Sequence, residues 1–226
     1  MLFDLIRNGF SLDLVINLCA RLFVMFCILP MHEFAHAFVA TKLGDQTARL
    51  SGRLTLNPLA HLDPFGALLI IIAGFGYAKP VPVNPRNFKN QKTGMAITAV
   101  AGPISNLIMS FIFMACNCAV FKFSYPVSGS FSYAIAYFFM YASQINISLA
   151  VFNLLPVPPL DGSRILRLLI PDRQYYKIAQ YERYFVYAVL ILVLTGILDT
   201  PMSIVSSFFS KAFLKAAAAI FGLSVG

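Results

Sequence analysis

The sequence has few charged residues, no tryptophan and no pair of cysteines spaced for a metal or redox site. Charged residues make up 12% of the chain and hydrophobic residues 59%, whereas a soluble globular domain is typically about a quarter charged. The four cysteines lie in apolar stretches without a C-x-x-C pair, so we expect buried, reduced thiols. The scarcity of charge excludes an ordinary soluble domain and predicts an all-α membrane protein that crosses the lipid bilayer several times.

Acidic residues are scarcer than basic ones, and the net charge is +8. Such a balance can indicate a nucleic-acid partner, but most lysines and arginines gather between apolar stretches, in residues 42–92 and 164–183. Loops of this kind usually lie on the cytoplasmic side of a membrane. The charge therefore predicts topology rather than nucleic-acid binding, with both segments cytoplasmic and the N-terminus external. The first residues lack the basic start of a secretory signal, so we expect no cleavable leader.

Long apolar stretches predict about 4–6 transmembrane helices. The clearest candidates are residues 14–42, 94–121, 132–155 and 184–198. Residues 65–78 are apolar but shorter than the roughly 20 residues that a crossing needs, so a re-entrant segment is favoured over a crossing. In residues 203–224, serines and lysines recur on one face at helical spacing, which fits either an interfacial helix or a last span.

A small β element is predicted after the first span. Residues 48–56 alternate between polar and apolar side chains with a period of two, which is typical of a strand. A second candidate, residues 77–83, contains Pro80 and Pro82 and could form only an edge strand. These two segments predict a small membrane-associated β element in an otherwise helical protein.

The most informative stretch is His-Glu-Phe-Ala-His at residues 32–36, inside the first apolar segment. On a helix, His32 and His36 lie on one face one turn apart and can bind a single cation. Glu33 lies near the same site and could take a proton from water there, as in zinc peptidases with H-E-x-x-H. The motif also occurs by accident in soluble helices, but ionisable residues inside a membrane usually mark a functional site. Pro30 should kink the helix or start a new segment just before the motif.

A second informative stretch, residues 152–162, reads Phe-Asn-Leu-Leu-Pro-Val-Pro-Pro-Leu-Asp-Gly. Its prolines forbid a continuous helix, so the backbone must break close to the membrane. Alone, Asp161 would be interpreted as the N-cap of a following helix. Because catalytic zinc takes three protein ligands and leaves a fourth position to water, Asp161 is also the natural third ligand beside the two histidines.

Three further polar residues allow two interpretations each. Asn106, within Ala-Gly-Pro-Ile-Ser-Asn at residues 101–106, is either an interhelical hydrogen bonder or a supporting group near the metal. His61 and Asp63 either line the site or pack the loop in which they lie. The sequence favours the structural interpretation for all three.

Together these motifs resemble the site-2 protease family of intramembrane zinc metalloproteases. The resemblance covers roughly residues 30–165 and adds the segments Gly-Arg-Leu-Thr-Leu-Asn-Pro and Ala-Lys-Pro-Val-Pro-Val-Asn-Pro. It implies that one Zn²⁺ per chain is bound by three ligands and that two further residues are catalytic. The implied metal ligands are His32, His36 and Asp161; the implied catalytic residues are Glu33, as base and acid, and Asn153, which orients or stabilises the scissile carbonyl. Ala35 and Ser163 replace glycines that are common in the family, and neither is a proposed ligand.

The resemblance also implies a function. We expect a single metalloprotease domain over residues 1–226, with a catalytic core at about 14–165 and C-terminal helices at about 166–226. It would lie in the cell membrane, with its active site towards the cytoplasmic face, and hydrolyse a peptide bond within or near a transmembrane segment of a membrane protein. Residues 48–56 would hold the unwound substrate by strand addition. The alternative is a non-catalytic protein, either a metal transporter or an inactive relative that binds membrane segments.

Overall fold

The computed structural model describes residues 11–61, 63 and 79–224, and the secondary structure of this part is helical. The helices are α1 Leu12–Phe23, α2 Leu29–Lys42, α3 Thr47–Leu50, α4 Pro58–His61, α5 Gln91–Ser124, α6 Phe131–Asn153, α7 Asp161–Leu169, α8 Asp172–Ala179, α9 Glu182–Leu194 and α10 Asp199–Phe221. A π-helical segment, Val24–Ile28, joins α1 to α2, and a 3₁₀ turn, Pro85–Asn87, precedes α5.

The first spanning helix is interrupted just before the histidine motif, as the sequence predicts. The π-helical segment ends at Ile28, and Pro30 lies in the first turn of α2, where its missing N–H leaves no helical hydrogen bond unmade. π-Helical turns are frequent at functional sites. The interruption separates a membrane-anchoring part, α1, from the part that carries the two histidines, α2.

Helix α5 is the centre of the structure. It packs against α2, α6, α7 and α10. Where α1, the π-helical segment, α5 and α6 meet, a buried hydrophobic cluster forms around Ala20, Val24, Ile28, Phe113 and Ala142. The helices that carry the histidines and Asp161 therefore both contact α5, which fixes their relative positions.

Four helical stretches are long and apolar enough to cross a membrane: Leu12–Lys42, Gln91–Ser124, Phe131–Asn153 and Asp199–Phe221. They confirm a multi-pass membrane protein and the first three predicted spans. The fourth shows that the C-terminal stretch is long enough for a span. The predicted span at 184–198 is wrong, because α9 there has 13 residues and a crossing needs roughly 20. Residues 65–78, the predicted re-entrant segment, lie outside the described residues.

The predicted strand at residues 48–56 is wrong. This stretch begins within α3 and continues into a turn, since Gly52 adopts a positive φ of 67°. The amide of Gly52 bonds to the carbonyl of Arg49, and that of Arg53 bonds to the carbonyl of Ala48. These two bonds form a Schellman helix end, and they outweigh the two-residue alternation of side chains.

The second predicted strand fares no better within the described residues. Residues 79–83 are neither helical nor strand, and residues 77–78 lie outside the described part. The amide of Val81 bonds to a carboxylate rather than to another strand. The small β element is therefore not found in the described residues, and substrate binding by strand addition at 48–56 loses its template.

Candidate metal centre

Two local features bring Asp161 to the histidines. The proline-rich break after α6 turns the chain back, so that α7 begins at Asp161. Gly162 then packs directly on the backbone of that break: a Cβ at this position would lie 2.2 Å from the carbonyl oxygen of Leu154. Only glycine permits so close an approach. The Asp-Gly pair thus serves position and packing together.

His32, His36 and Asp161 form a triangle of potential ligand atoms. The Nε2 atoms of the two histidines are 3.0 Å apart, and the Asp161 Oδ2 lies 3.3 Å from the Nε2 of His32 and 3.2 Å from that of His36. Tetrahedral zinc, with ligands at about 2.0–2.1 Å, separates neighbouring ligand atoms by about 3.3 Å. The triangle therefore fits one face of a zinc tetrahedron.

The second nitrogen of His36 fixes which nitrogen faces the centre. Its Nδ1–H donates to the backbone carbonyl of Thr98 on α5 at 2.7 Å. A neutral imidazole with a proton on Nδ1 has its lone pair on Nε2. Metal-binding histidines almost always make such a second hydrogen bond, so His36 is oriented as a ligand requires.

The side chain of Asp161 faces the histidines and does not cap a helix. Helix α7 has Leu160 at its N-cap position and no side-chain cap. Burial raises the pKa of Asp161, but hydrogen bonds with His32 and His36 outweigh burial and hold that pKa well below its ordinary value. Asp161 is therefore an ionised oxygen donor near neutral pH.

Sequence reasoning interpreted Gly102 only as a small residue for helix packing, but it lies against both imidazoles. A Cβ at Gly102 would be 2.3 Å from the Nε2 of His36 and 2.5 Å from the Nε2 of His32. Any side chain there would fill the space in front of the ligand atoms. The Gly102-to-Asn106 segment carried this signal, but only the register of α5 against α2 reveals it.

A backbone amide holds Glu33 beside the triangle. Glu33 is 9% exposed, and its Oε2 accepts a hydrogen bond from the amide of Val81 at 3.1 Å. Val81 lies between Pro80 and Pro82, which have no N–H, so its amide is the one donor of this tripeptide. Sequence analysis missed Val81, although this pattern of prolines around a single donor was visible.

The remaining candidates lie farther from the triangle. Asn153 ends α6, and its Nδ2 donates to the carbonyl of Leu149 within its own helix. His61 is buried and its Nε2 bonds to the carbonyl of Thr55, which supports the loop-packing interpretation. Among the described residues, the group of possible metal ligands consists of His32, His36 and Asp161, without His61 or Asp63.

Comparison with known proteins agrees with this chemistry. A family model described as Peptidase family M50 matches residues 118–196. The protein named "Putative zinc metalloprotease YwhC" from Bacillus subtilis (strain 168) is 45% identical over 186 residues, covering 82% of this chain and 84% of YwhC. The chain belongs to peptidase family M50. It is a zinc metalloprotease of the site-2 type.

More distant M50 relatives extend the similarity. Rip2 of Mycolicibacterium smegmatis, named in the same words, is 28% identical over 176 residues, covering 76% of this chain and 65% of Rip2. A relative so named from Methanocaldococcus jannaschii is 39% identical over 139 residues, covering 60% of this chain and 63% of that protein. No solved structure matches the chain. M50 enzymes use zinc, and the donor set of two imidazoles and one carboxylate fits that metal.

Proposed function

We propose that this M50 protease hydrolyses a peptide bond within or near a transmembrane segment of membrane-protein substrates. The observation that carries the proposal is the position of the ligand triangle. His32 and His36 are buried in a helical stretch that is apolar enough to span the membrane. Ionisable groups placed at such depth are functional far more often than structural. A site there reaches peptide bonds that soluble proteases cannot approach.

His32, His36 and Asp161 would hold one zinc ion per chain. Zinc, when bound, polarises the scissile carbonyl and lowers the pKa of water to about 7. The packing of Gly102 against both imidazoles leaves room for a bound ion and excludes a competing side chain. Thr98, through its carbonyl, keeps the Nε2 lone pair of His36 directed at that space.

Glu33 would be the catalytic base and then the catalytic acid. The amide of Val81 holds one carboxylate oxygen, Oε2, and Oε1 can take a proton from the attacking water. The same oxygen then delivers that proton to the leaving amine. Proton transfer by a positioned side chain contributes typically 10²–10⁴-fold to the rate.

Asn153 would orient or stabilise the scissile carbonyl. Its Nδ2 now donates to Leu149, so this role requires the side chain to exchange that bond for one to the substrate. The position supports such an exchange, because Asn153 is the last residue of α6 and immediately precedes the break that leads to Asp161.

An apolar groove supports a membrane-embedded substrate. The groove encloses about 550 Å³ between α2, α5 and α7, and its lining includes Ala35, Ala101 and Ile165. These residues neighbour the ligand triangle and the close-packed glycine along the chain. A transmembrane segment lying in the groove would come beside the zinc site. Its helix must then unwind locally, since helical carbonyls are already hydrogen-bonded.

The basic loops place the site towards the cytoplasmic face of the cell membrane. Helix α2 ends at Lys42, and α7, which begins at the third ligand, carries Arg164 and Arg167. Both ends belong to segments rich in lysine and arginine, which are retained in the cytoplasm. Reporter fusions at Arg86 and Arg164 should report the same side; opposite sides would contradict this topology.

The test compares membrane-protein fragments in cells that carry the native chain, Glu33→Gln or Glu182→Gln. Glu182 is the other glutamate of the chain and is exposed on α9, so its variant is a matched control. We expect uncleaved substrates or membrane stubs to accumulate with Glu33→Gln alone, while the purified variant retains zinc. Identical fragment profiles with zinc still bound would contradict the peptidase proposal and favour metal transport or simple binding.

A further inference from the structure

Three buried polar atoms near the metal centre have no protein partner. Among the described residues, the buried atoms without a hydrogen bond include His32 Nδ1, Asn106 Oδ1 and Asn146 Oδ1. Asn106 and Asn146 are 1% and 0% exposed. A buried polar group without a partner costs about 1–3 kcal/mol, so three of them in one protein core require an explanation.

The two asparagines lie at the same level of the helix bundle. The hydroxyls of Ser110 on α5 and Ser143 on α6 are 2.8 Å apart, which fixes the antiparallel register of the two helices. Asn117 confirms the register, since its Nδ2 bonds to the carbonyl of Ala136 two turns away. Moving about one turn from the serine pair in the other direction reaches Asn106 on α5 and Asn146 on α6.

His32 belongs to the same level. Its ring packs against Gly102, where a Cβ would lie 2.6 Å from the ring carbon Cε1. Asn106 follows Gly102 by one helical turn and so lies on the same face of α5. On the other side, Met31 and Ile145, the chain neighbours of His32 and Asn146, pack against one hydrophobic cluster. Helices α2, α5 and α6 therefore present the three unpaired atoms to one another.

The donors and acceptors at this level match one water molecule. If the Nε2 of His32 binds a metal, its Nδ1 carries a proton and donates. The two amide oxygens only accept. One water accepts the bond from Nδ1–H and donates its two hydrogens to the two oxygens, which gives the three hydrogen bonds typical of a buried water. No second protein donor is needed.

We propose that Asn106 and Asn146 bind a buried water that receives the Nδ1–H of His32. They are positioning residues, since they orient the imidazole through that water and do not touch the reacting atoms. This inference rests on the proposed role of His32 as a zinc ligand. It completes a symmetry of the site: the Thr98 carbonyl orients His36 directly, and the two asparagines orient His32 through water.

The test measures the zinc dissociation constant of the purified protein in detergent by competition with a chelator. Removing a group that orients a metal ligand typically weakens metal binding 10–100-fold. We expect that loss for Asn106→Leu and for Asn146→Leu. The double variant should lose little more than either single variant, because both act through one water. Asn146→Asp keeps an oxygen acceptor and should retain the native affinity.

Asn117→Leu is the matched control, because it also removes a buried amide between α5 and α6. It should lower the unfolding temperature of the zinc-free protein without changing zinc affinity. Native affinity in both asparagine variants, or equal weakening by Asn117→Leu, would overturn the inference. His32→Ala separates this inference from the proposed function: zinc affinity unchanged by His32→Ala would refute the ligand role itself, whatever the asparagine variants show.

Discussion

The helices around the zinc site and the C-terminal helix α10 are both apolar enough to cross a membrane, but they use their polar residues differently. In the most apolar part of each span, 28% of residues 12–42, 33% of 91–124 and 39% of 131–153 are buried, compared with 11% for 199–221. The first three form a bundle around buried polar groups. Helix α10 attaches to the outside of that bundle.

The contacts of α10 are small and apolar. Ala217 and Ala218 are buried against Met114 and Cys118 of α5, while apolar side chains such as Ile204 and Phe208 remain largely exposed. The two regions show that hydropathy identifies a span but not its role. What distinguishes the catalytic bundle is that its polar side chains are buried and hydrogen-bonded. Substitutions that act on buried polar groups should therefore have the larger effects.

The largest effect is expected from Gly102→Ala, which places a methyl group within 2.5 Å of both histidine Nε2 atoms. We expect zinc affinity to fall at least roughly 10–100-fold, as for other disturbances of ligand orientation, and peptide hydrolysis to fall with it. Gly94→Ala is the control on the same helix, since its Cβ would meet only the Phe88 ring. It should reduce stability and leave zinc affinity unchanged. Equal zinc affinities for the two variants would contradict this.

Val81→Pro should have the next largest effect. It removes the amide that holds Glu33 and leaves zinc bound. A hydrogen bond to a charged group contributes about 1.5–3 kcal/mol, and about 1.4 kcal/mol corresponds to a tenfold change in rate. We therefore expect hydrolysis to slow roughly tenfold or more. Val81→Ala keeps the N–H and should retain most activity; similar slowing by both variants would assign the effect to the side chain.

These two positions show how far the sequence reached. The ligands and the base could be predicted, because a five-residue helical motif and a proline break with Asp161 each carry their meaning locally. Gly102 and Val81 could not, since their importance depends on contacts between segments far apart in the chain. The failed strand at 48–56 is the opposite case. There, local helix signals, with Asp45 bonding Thr47 and Gly52 ending the turn, defeated a side-chain pattern that looked periodic.

Acidification should reveal a further difference between the regions. Burial raises the pKa of Asp45, which follows α2, but hydrogen bonds from Thr47, Asn87 and Asn84 outweigh burial and hold that pKa below its ordinary value. A carboxylate with a lowered folded-state pKa stabilises the protein above its unfolded pKa of about 3.9, and this stability is lost as the pH falls through the folded value.

Asp45→Asn should therefore lower the unfolding temperature near neutral pH and reduce the further drop on acidification below about pH 4. Thermal unfolding in detergent across this range measures both effects. Asp199→Asn, at the exposed start of α10, is the control and should change the curve little. If Asp199→Asn flattened the acid response as much as Asp45→Asn did, the hydrogen-bonded loop after α2 would not be its source.

The smallest effects make the most direct comparison, because one substitution can be made in both regions. Ser110 is buried and its hydroxyl is paired with that of Ser143 across α5 and α6, whereas Ser207 is exposed on α10. Hydrogen bonds between membrane helices contribute about 0.6 kcal/mol on average, so Ser110→Ala should lower the free energy of unfolding by about that amount. Ser207→Ala should leave it unchanged. A loss at Ser207 equal to that at Ser110 would mean that α10 has a polar partner of its own, and the division between a polar bundle and an apolar attachment would fail.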